Sequence, residues 1–520
     1  MAEPYYITTA ISYPNGAPHI GHAYEAIAAD TIARFQRAQG RDVRFQTGTD
    51  EHGLKMAQAA KAEGLEPQVY ADQMSAKFKA MCDVLDVGYD RFIRTSEPAH
   101  HRASQAIWSA MEANGDLYLG RYEGWYSVRD EAFYDESELV DGEGGKRSPH
   151  GTPVEWTVEE SWFFKLSAYQ QPLLDHYAAN PEYIQPDSRR NEVLRFVEGG
   201  LNDLSISRTS FDWGVKVPGS PDHVMYVWLD ALTNYLTGLA YPDGGDLLDR
   251  YWPANVHLIG KDVVRFHAVY WPAFLMSAKI ALPKQIYGHG FLLSRGEKMS
   301  KSVGNVVDPL ALAKRYGVDA LRYFLLREVT FGQDGSYSHE AIVNRVNAEL
   351  ANSFGNLAQR SLSLIDRNFP ERLPWGGLEK PEDAQLQGLV TDTCRNLIPR
   401  EFEKFAFSQG LEEWMRAVFA CNQYITQQEP WALKKADPER MKAVLATLFL
   451  CIRDLAIAVR PVMPTSIDRL LDMMGIPPGE RNFADLENIG WYKALTTGPS
   501  PLLKPAPIFP RLELPEVEAA

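Results

Sequence analysis

Two clusters of basic side chains stand far apart in a chain of 520 residues: His19-Ile20-Gly21-His22 and Lys298-Met299-Ser300-Lys301-Ser302. Histidines at i and i+3 share one face of a helix's first turn, so both can donate toward one ligand, and Gly21 between them admits that ligand close to the backbone. The two lysines flank Met299-Ser300 in a loop opened by Gly296 and supply mobile point charges for a polyphosphate. Taken singly, the first cluster also reads as hydrogen-bonded structural histidines and the second as a solvated loop. Their joint presence in one chain points to a bound nucleotide.

The elements that must position these clusters follow from hydrophobic periodicity. Tyr5–Ile11 is a β-rich apolar run broken by Tyr-Pro-Asn-Gly, after which Ile20, Tyr24, Ile27 and Phe35 recur at helical spacing up to Gly40, and Val43–Thr47 reads as a second strand. Strand, loop, helix, strand is the opening of a parallel α/β sheet, and it places His19 and His22 at a helix N-terminus, where backbone N–H groups and the helix dipole favour phosphate. From about Gly115 to Val224 short strands such as Gly124–Ser127 and Glu155–Val158 flank a Gly-rich stretch at Asp141–Gly151, which reads as a flexible insertion. The α/β pattern resumes at Val224–Leu229, Val256–Ile259 and Gln285–Leu293. Beyond Val303 helical periods dominate, over Leu310–Tyr316, Asp319–Arg327, Ser338–Asp366, Glu382–Glu403, Ala406–Gln428 and Pro438–Leu471, which predicts a helical bundle. The proline-rich tail from Gly498 is incompatible with helix and predicts an extended segment.

Composition narrows the class. Hydrophobic residues make up 45% and aromatic residues 11%, the proportions of a soluble globular protein. The most apolar stretch, Ala443–Met463, is interrupted by Arg453, Asp454 and Arg460, so no membrane span is expected, and the Met-Ala-Glu-Pro start lacks a signal-peptide pattern. Cytoplasm is the expected compartment. Cys82, Cys394, Cys421 and Cys451 are scattered without metal-ligand spacing and read as buried thiols, while His100-His101, in a polar Glu-Pro-Ala-His-His-Arg segment, reads as solvated surface. With 53 Lys and Arg against 68 Asp and Glu, the formal charge is -15; a polyanionic partner must then dock on local basic patches of a generally repelling surface.

In the two clusters the chain resembles the class I aminoacyl-tRNA synthetases, whose signatures are HIGH and KMSKS, and among them the methionyl branch. Further matches are Thr-Gly-Thr-Asp-Glu-His-Gly at 47–53, Tyr-Val-Trp-Leu-Asp-Ala at 226–231, Gly-Lys-Asp-Val-Val-Arg-Phe-His at 260–267, His-Gly-Phe-Leu at 289–292 and Tyr-Gly-Val-Asp-Ala-Leu-Arg-Tyr-Phe at 316–324, so the resemblance spans essentially the whole chain. It implies a Rossmann-type parallel-sheet catalytic domain split by an insertion, followed by an all-α anticodon-binding bundle. The boundaries expected are 1–114 and 225–293 for the two catalytic halves, 115–224 for the insertion, 294–345 for the KMSKS loop and stem-contact region, 346–497 for the bundle and 498–520 for the tail.

The same resemblance implies the site. His19, His22, Lys298 and Lys301 would act on ATP phosphates, and Asn15, Gly21, Gly260, Asp262, Leu292 and Lys301 would bind ATP, with Mg²⁺ arriving alongside it. Asp50 would hold the ammonium of L-methionine, with Ile11, Tyr13, Trp228, Ala231, Leu232, Tyr235, Val263 and His267 completing its pocket and Arg208 in support. For Trp228 and Tyr235, at helical spacing, plain core packing is the competing reading. Asn356, Arg360 and Trp431 would read the anticodon of initiator and elongator methionine tRNA, an Arg–Asn face with an indole being suited to unstacked bases. Three departures stand out: residues 115–225 lack the cysteines of the zinc knuckles many relatives carry, so no structural zinc is expected; Leu232 replaces a frequent proline; and no C-terminal dimerising barrel follows, which favours a monomer. Synthetases for leucine, isoleucine or valine usually carry a larger editing insertion. A small nucleotidyltransferase leaves the helical third without purpose, and a non-catalytic tRNA-binding descendant fits poorly with four intact basic residues.

Overall fold

The computed structural model describes residues 2–129, 132–142, 145–294, 297–298, 307–377, 379–487 and 502–514. The chain divides into two units, one made of Pro4–Ala29 and Val43–His289, the other of Met1–Glu3, Asp30–Asp42 and Gly290–Ala520.

The first unit is organised by a six-stranded sheet. Its strands are β1 (Pro4–Thr9), β2 (Asp42–Thr49), β3 (Arg91–Arg94), β4 (Ile184–Gln185), β5 (Val256–Gly260) and β6 (Ile286–His289), in the spatial order β3-β2-β1-β5-β6-β4. Ile7 pairs with Val256 and His257 with Ile286, both in parallel register. β1 reads Tyr-Tyr-Ile-Thr-Thr after its proline, and every one of those five residues is buried, as a parallel strand covered on both faces requires. Strand order reverses between β1 and β5, and in open α/β sheets the crevice beyond the strand C-termini at such a switch point receives ligands. Three helices concern the site: α1 (Ile20–Ala38), α2 (Pro98–Ala113) and α3 (Val227–Thr237). Trp108, Phe164, Tyr177, Trp271 and Phe274 fill the core beside α3.

The insertion is more regular than its sequence suggests. Leu117–Ser127 and Glu155–Phe164 form a ten-rung antiparallel ladder from Leu117↔Phe164 to Tyr126↔Glu155, longer than the short β-rich pieces visible in the chain, with the paired Leu117 and Phe164 buried at one end and Tyr126 at the other. The glycine-rich stretch is not featureless either: Val140–Gly142 and Gly145–Arg147 pair as a hairpin. The turn that follows is closed by hydroxyls, with Thr152 Oγ1 2.7 Å from both Ser127 Oγ and Ser148 Oγ. Among the described residues no group of three His, Cys, Asp or Glu side chains is arranged to hold a metal ion, and all four cysteines are buried.

The second unit is helical from Pro309 onward, apart from the short strand Gly335–Tyr337. Periodic stretches are interrupted in two ways, one that the sequence does not mark and one at the Arg-Pro-Val-Met-Pro turn over 460–464 that it does. Within 338–366 the helix widens to a π-helical stretch over Val346–Gly355, immediately before helix Asn356–Asn368, and within 438–471 Pro461 and Pro464 end one helix at Val459 and start the next at Pro464. A fully buried ion pair ties distant segments of this unit: Arg322 donates to Asp30 at 2.6 Å and to the Val462 carbonyl at 2.8 Å. The tail 502–514 has no regular element and is laid along the helices, with Asn347 and Leu512 exchanging hydrogen bonds of 2.9 and 2.8 Å. Among the described residues no helix is long and apolar enough to cross a membrane.

Candidate active site

The loop from β1 to α1 delivers the first cluster. His19 caps α1 with its ring: the Gly21 N–H donates to His19 Nδ1 at 3.1 Å, and the His19 N–H donates to His22 Nδ1 at 3.1 Å, a reciprocal cap made by two imidazoles. Because each Nδ1 accepts from a backbone N–H, each neutral ring carries its proton on Nε2. The rings stack at 3.8 Å between centroids, and the edge of Phe78 supports His22 at 5.0 Å. The structure adds a reason for Gly21 that its sequence does not show: a Cβ there would lie 2.9 Å from His19 Cε1, so the glycine makes room for the folded-back ring.

At the end of β2, Ser12 extends the sheet by one rung: Ser12 N–H donates to Gly48 O at 3.0 Å and Asp50 N–H to Ser12 O at 2.9 Å. Asp50 is thereby held at the strand's C-terminal end, buried. The half-buried Tyr13 donates its hydroxyl to the His52 carbonyl at 2.8 Å and lies under the Lys55 ammonium at 5.0 Å. Ile11 and Asn15 flank it, both half-buried.

The proposed side-chain pocket divides between wall and contact surface. Trp228 is half-buried and stacks on Phe266 with ring centroids 3.8 Å apart and an interplanar angle of 7°. Tyr235, fully buried two helical turns on, donates to His267 Nε2 at 2.6 Å; His267 Nδ1 lies 2.9 Å from the Val263 carbonyl, an acceptor only, so the histidine is the Nδ1–H tautomer. Burial holds the His267 pKa down at about 4. With every polar atom of Tyr235 and His267 occupied, this wall is neutral and offers water little. A π-helical turn over Phe266–Tyr270 presents His267. Ala231 and Leu232 are buried in α3 beside them. Arg208, also buried, donates to Ser205 Oγ at 2.8 Å and lies 4.7 Å over the Tyr226 ring.

Gly260 ends β5, and a Cβ on it would meet Asp262 Oδ1 at 2.8 Å; Asp262 itself is exposed on the following turn. In the second unit, Leu292 is buried in strand Leu292–Ser294, which pairs with Glu297–Lys298. Of Lys298 only the backbone is described, and Lys301 lies outside the described residues. Asn356 and Arg360 stand one turn apart on helix Asn356–Asn368, and the Trp431 ring lies 5.5 Å under the Arg360 guanidinium. Pro430 occupies the first position of helix Pro430–Ala436 and is buried, leaving Trp431 exposed at 46%.

Comparison with known proteins matches this arrangement over nearly the whole chain. Residues 5–147 and 146–362 match the model of class I tRNA synthetases (M), and residues 373–513 that of the anticodon binding domain of methionyl tRNA ligase. A methionine–tRNA ligase of Brucella suis is 56% identical over 510 residues, 98% of each chain, and one of Rhizobium meliloti is 54% identical over 99% of each. The chain belongs to the methionyl family of class I tRNA synthetases. Among solved relatives, a Mycobacterium tuberculosis methionyl-tRNA synthetase in complex with methionyl-adenylate superposes with a TM-score of 0.94 at 54% identity, covering 98% of this chain and 100% of that one. The free form of the M. tuberculosis enzyme gives 0.88 at 49% identity, with 99% of each chain covered.

For a methionyl synthetase the chain keeps a second layer that reading its sequence missed. His100 is not solvated surface: it is fully buried, donates from Nε2 to Asp230 Oδ1 at 2.7 Å, and shares the Asp230 carboxylate with His52, whose Nδ1 is 2.6 Å from Oδ2. Burial alone would raise the Asp230 pKa; the His52 and His100 contacts outweigh it and hold the carboxyl well below its usual range. His101, half-buried with its ring 5.2 Å from His52, is pushed down to about 4, by burial first and then by His52. Glu25, three residues past His22, is 2.8 Å from His289 Nε2, and its pKa is raised by burial against the opposing pull of His289. Of these residues His52, Asp230 and His289 lie inside the quoted motifs, whereas Glu25, His100 and His101 lie outside them.

Proposed function

We propose that the chain activates L-methionine with ATP and transfers it to the 3′ end of methionine tRNA. In the first step the methionine carboxylate, ionised at neutral pH, attacks the α-phosphorus and pyrophosphate leaves, so positioning and charge neutralisation carry the catalysis and no general base is needed. In the second, the terminal ribose hydroxyl of the tRNA attacks the carbonyl of the mixed anhydride and AMP leaves. His19 and His22 donate from Nε2 to the phosphates, Lys298 and Lys301 follow charge into pyrophosphate, and Asn15, Gly21, Gly260, Asp262 and Leu292 hold the nucleotide. Asp50 pairs with the ammonium, and Arg208 braces the acidic side. Ile11, Tyr13, Trp228, Ala231, Leu232, Tyr235, Val263 and His267 enclose a polarizable thioether with surfaces that carry no charge.

What carries this reading is the placement of His19 at the N-terminus of α1, which follows β1, and of Asp50 and Gly260 at the C-terminal ends of the flanking strands β2 and β5, around the point where strand order reverses. Asn356, Arg360 and Trp431 read the anticodon of initiator and elongator tRNA alike. Mg²⁺ enters with ATP as its counter-ion. No structural zinc is part of the proposal, since residues 115–225 contain no cysteine to form a knuckle. The enzyme works as a cytoplasmic monomer. ATP–pyrophosphate exchange assayed with each amino acid in turn tests the reading: methionine alone should stimulate exchange, and stimulation by leucine or valine without methionine overturns it.

A further inference from the structure

His52 links Tyr13 of the proposed methionine site to two groups outside it, Asp230 and Trp213. Its carbonyl accepts the Tyr13 hydroxyl at 2.8 Å, its Nδ1 meets Asp230 at 2.6 Å, and its ring is edged by Trp213 at 5.3 Å. It lies two residues past Asp50, while Asp230 lies between Trp228 and Ala231. The neighbour Glu51 is fixed independently, by Arg94 at 2.7 and 2.9 Å and by the Trp213 indole N–H to its carbonyl at 2.6 Å. Asp230 in turn is anchored to α2 through His100, and His100 Nδ1 continues to Thr237 Oγ1 at 2.9 Å, one end of α3 to the other. All three members are buried, with His52 at 2% and Asp230 and His100 at 0% exposure.

We infer that His52 and Asp230 are positioning residues that lock the ammonium-binding end of β2 to the helix carrying the methionine side-chain wall. The inference rests on the methionine-activation reading. Two contact points of one small ligand, Asp50 and Trp228, sit on segments far apart in sequence, and their spacing decides whether a side chain of methionine's length spans them. The His52–Asp230 contact is the shortest side-chain link between those segments among the described residues. Neither residue reaches the nucleotide side of the site, so its loss is felt by methionine and not by ATP.

The test is pyrophosphate exchange by the full chain with methionine and ATP varied separately. His52→Ala should raise the KM for methionine about tenfold or more, the scale of a lost hydrogen bond to a buried charge, and leave the KM for ATP within about twofold. His52→Asn, whose amide nitrogen reaches the Nδ1 position, should restore the methionine KM to within about threefold of the parent. If His52→Ala does not fold, the pair His52→Asn and His52→Gln decides, since Gln places its amide near Nε2 and should fail. Both KM values rising together, an unchanged methionine KM, or Asn performing no better than Ala or Gln overturns the inference. A parent enzyme without methionine-dependent exchange overturns the functional reading itself, whereas normal parental exchange with a flat His52 series removes only this inference.

Discussion

Replacing Gly21 by alanine separates stability from catalysis at the cap of α1. The added Cβ would meet His19 Cε1 at 2.9 Å and Nδ1 at 3.0 Å, where ordinary contacts begin near 3.4 Å. Relief requires the His19 ring to move by about 0.5–1 Å, which strains or breaks the 3.1 Å bond from the Gly21 N–H. Losing that bond costs about 1 kcal/mol, and alanine in place of glycine in a helix returns about 0.5–1 kcal/mol, so the net change in stability is close to zero. Catalysis has no such offset, because a displacement of about 1 Å in a group that positions phosphate lowers the rate by up to about 100-fold. Exchange measured as kcat/KM for ATP should fall about 10- to 100-fold while the thermal midpoint moves by less than about 2 °C. If the effect passes through His19, the double variant with His19→Ala is no slower than His19→Ala alone. Exchange within twofold of the parent, or additive losses in the double variant, refutes the cap as the reason for Gly21.

Trp431→Ala should lower aminoacylation kcat/KM about 10- to 100-fold, the scale of one lost base–indole stack, with exchange within about twofold; equal loss in both assays means that Trp431 is structural. His267 gives a pH signature. Its folded pKa, near 4, lies below the ordinary 6.5, so the unfolded chain binds the extra proton and stability falls as pH drops from 6.5 toward 4, by up to about 3 kcal/mol at the acid end. His267→Gln cannot take that proton and should flatten this part of the urea-midpoint profile between pH 7 and 4; parallel profiles would rule it out.

Local pattern made the elements legible where it coincides with burial. The aromatic and β-branched run of β1, the helical spacing from Ile20 to Phe35 and the periods beyond Pro309 all survive in the structure, since each buries the face its periodicity marks. The proposed site was legible where a residue belongs to a short contiguous motif. It was opaque wherever the meaning of a polar residue depends on a partner more than a hundred positions away. His100 looks like surface because its neighbours are polar, yet Asp230 and Thr237 bury it from a different part of the chain. Gly21 shows a second kind of blindness, for glycine's missing Cβ is visible in sequence but the atom that occupies the space is not. The strands of the insertion are longer than their pattern shows because Tyr118, Leu119, Trp156 and Val158 are exposed apolar residues, with the consecutive Tyr118 and Leu119 on opposite faces, and this blurs the alternation.

The pairing of Arg360 with the Trp431 indole bears on turnover. In the protein alone the guanidinium already covers that aromatic face, so under the proposed role a nucleobase that stacks there displaces a cation–π contact worth about 0.5–1 kcal/mol, which offsets part of the stacking gain. Discrimination then falls to the edges of the base, where hydrogen bonds are gained outright, and a charged tRNA leaves the surface without having to abandon a deep well. Under the proposed anticodon role, a reader built this way favours sampling and release over tight capture, as suits an enzyme that must hand its product on.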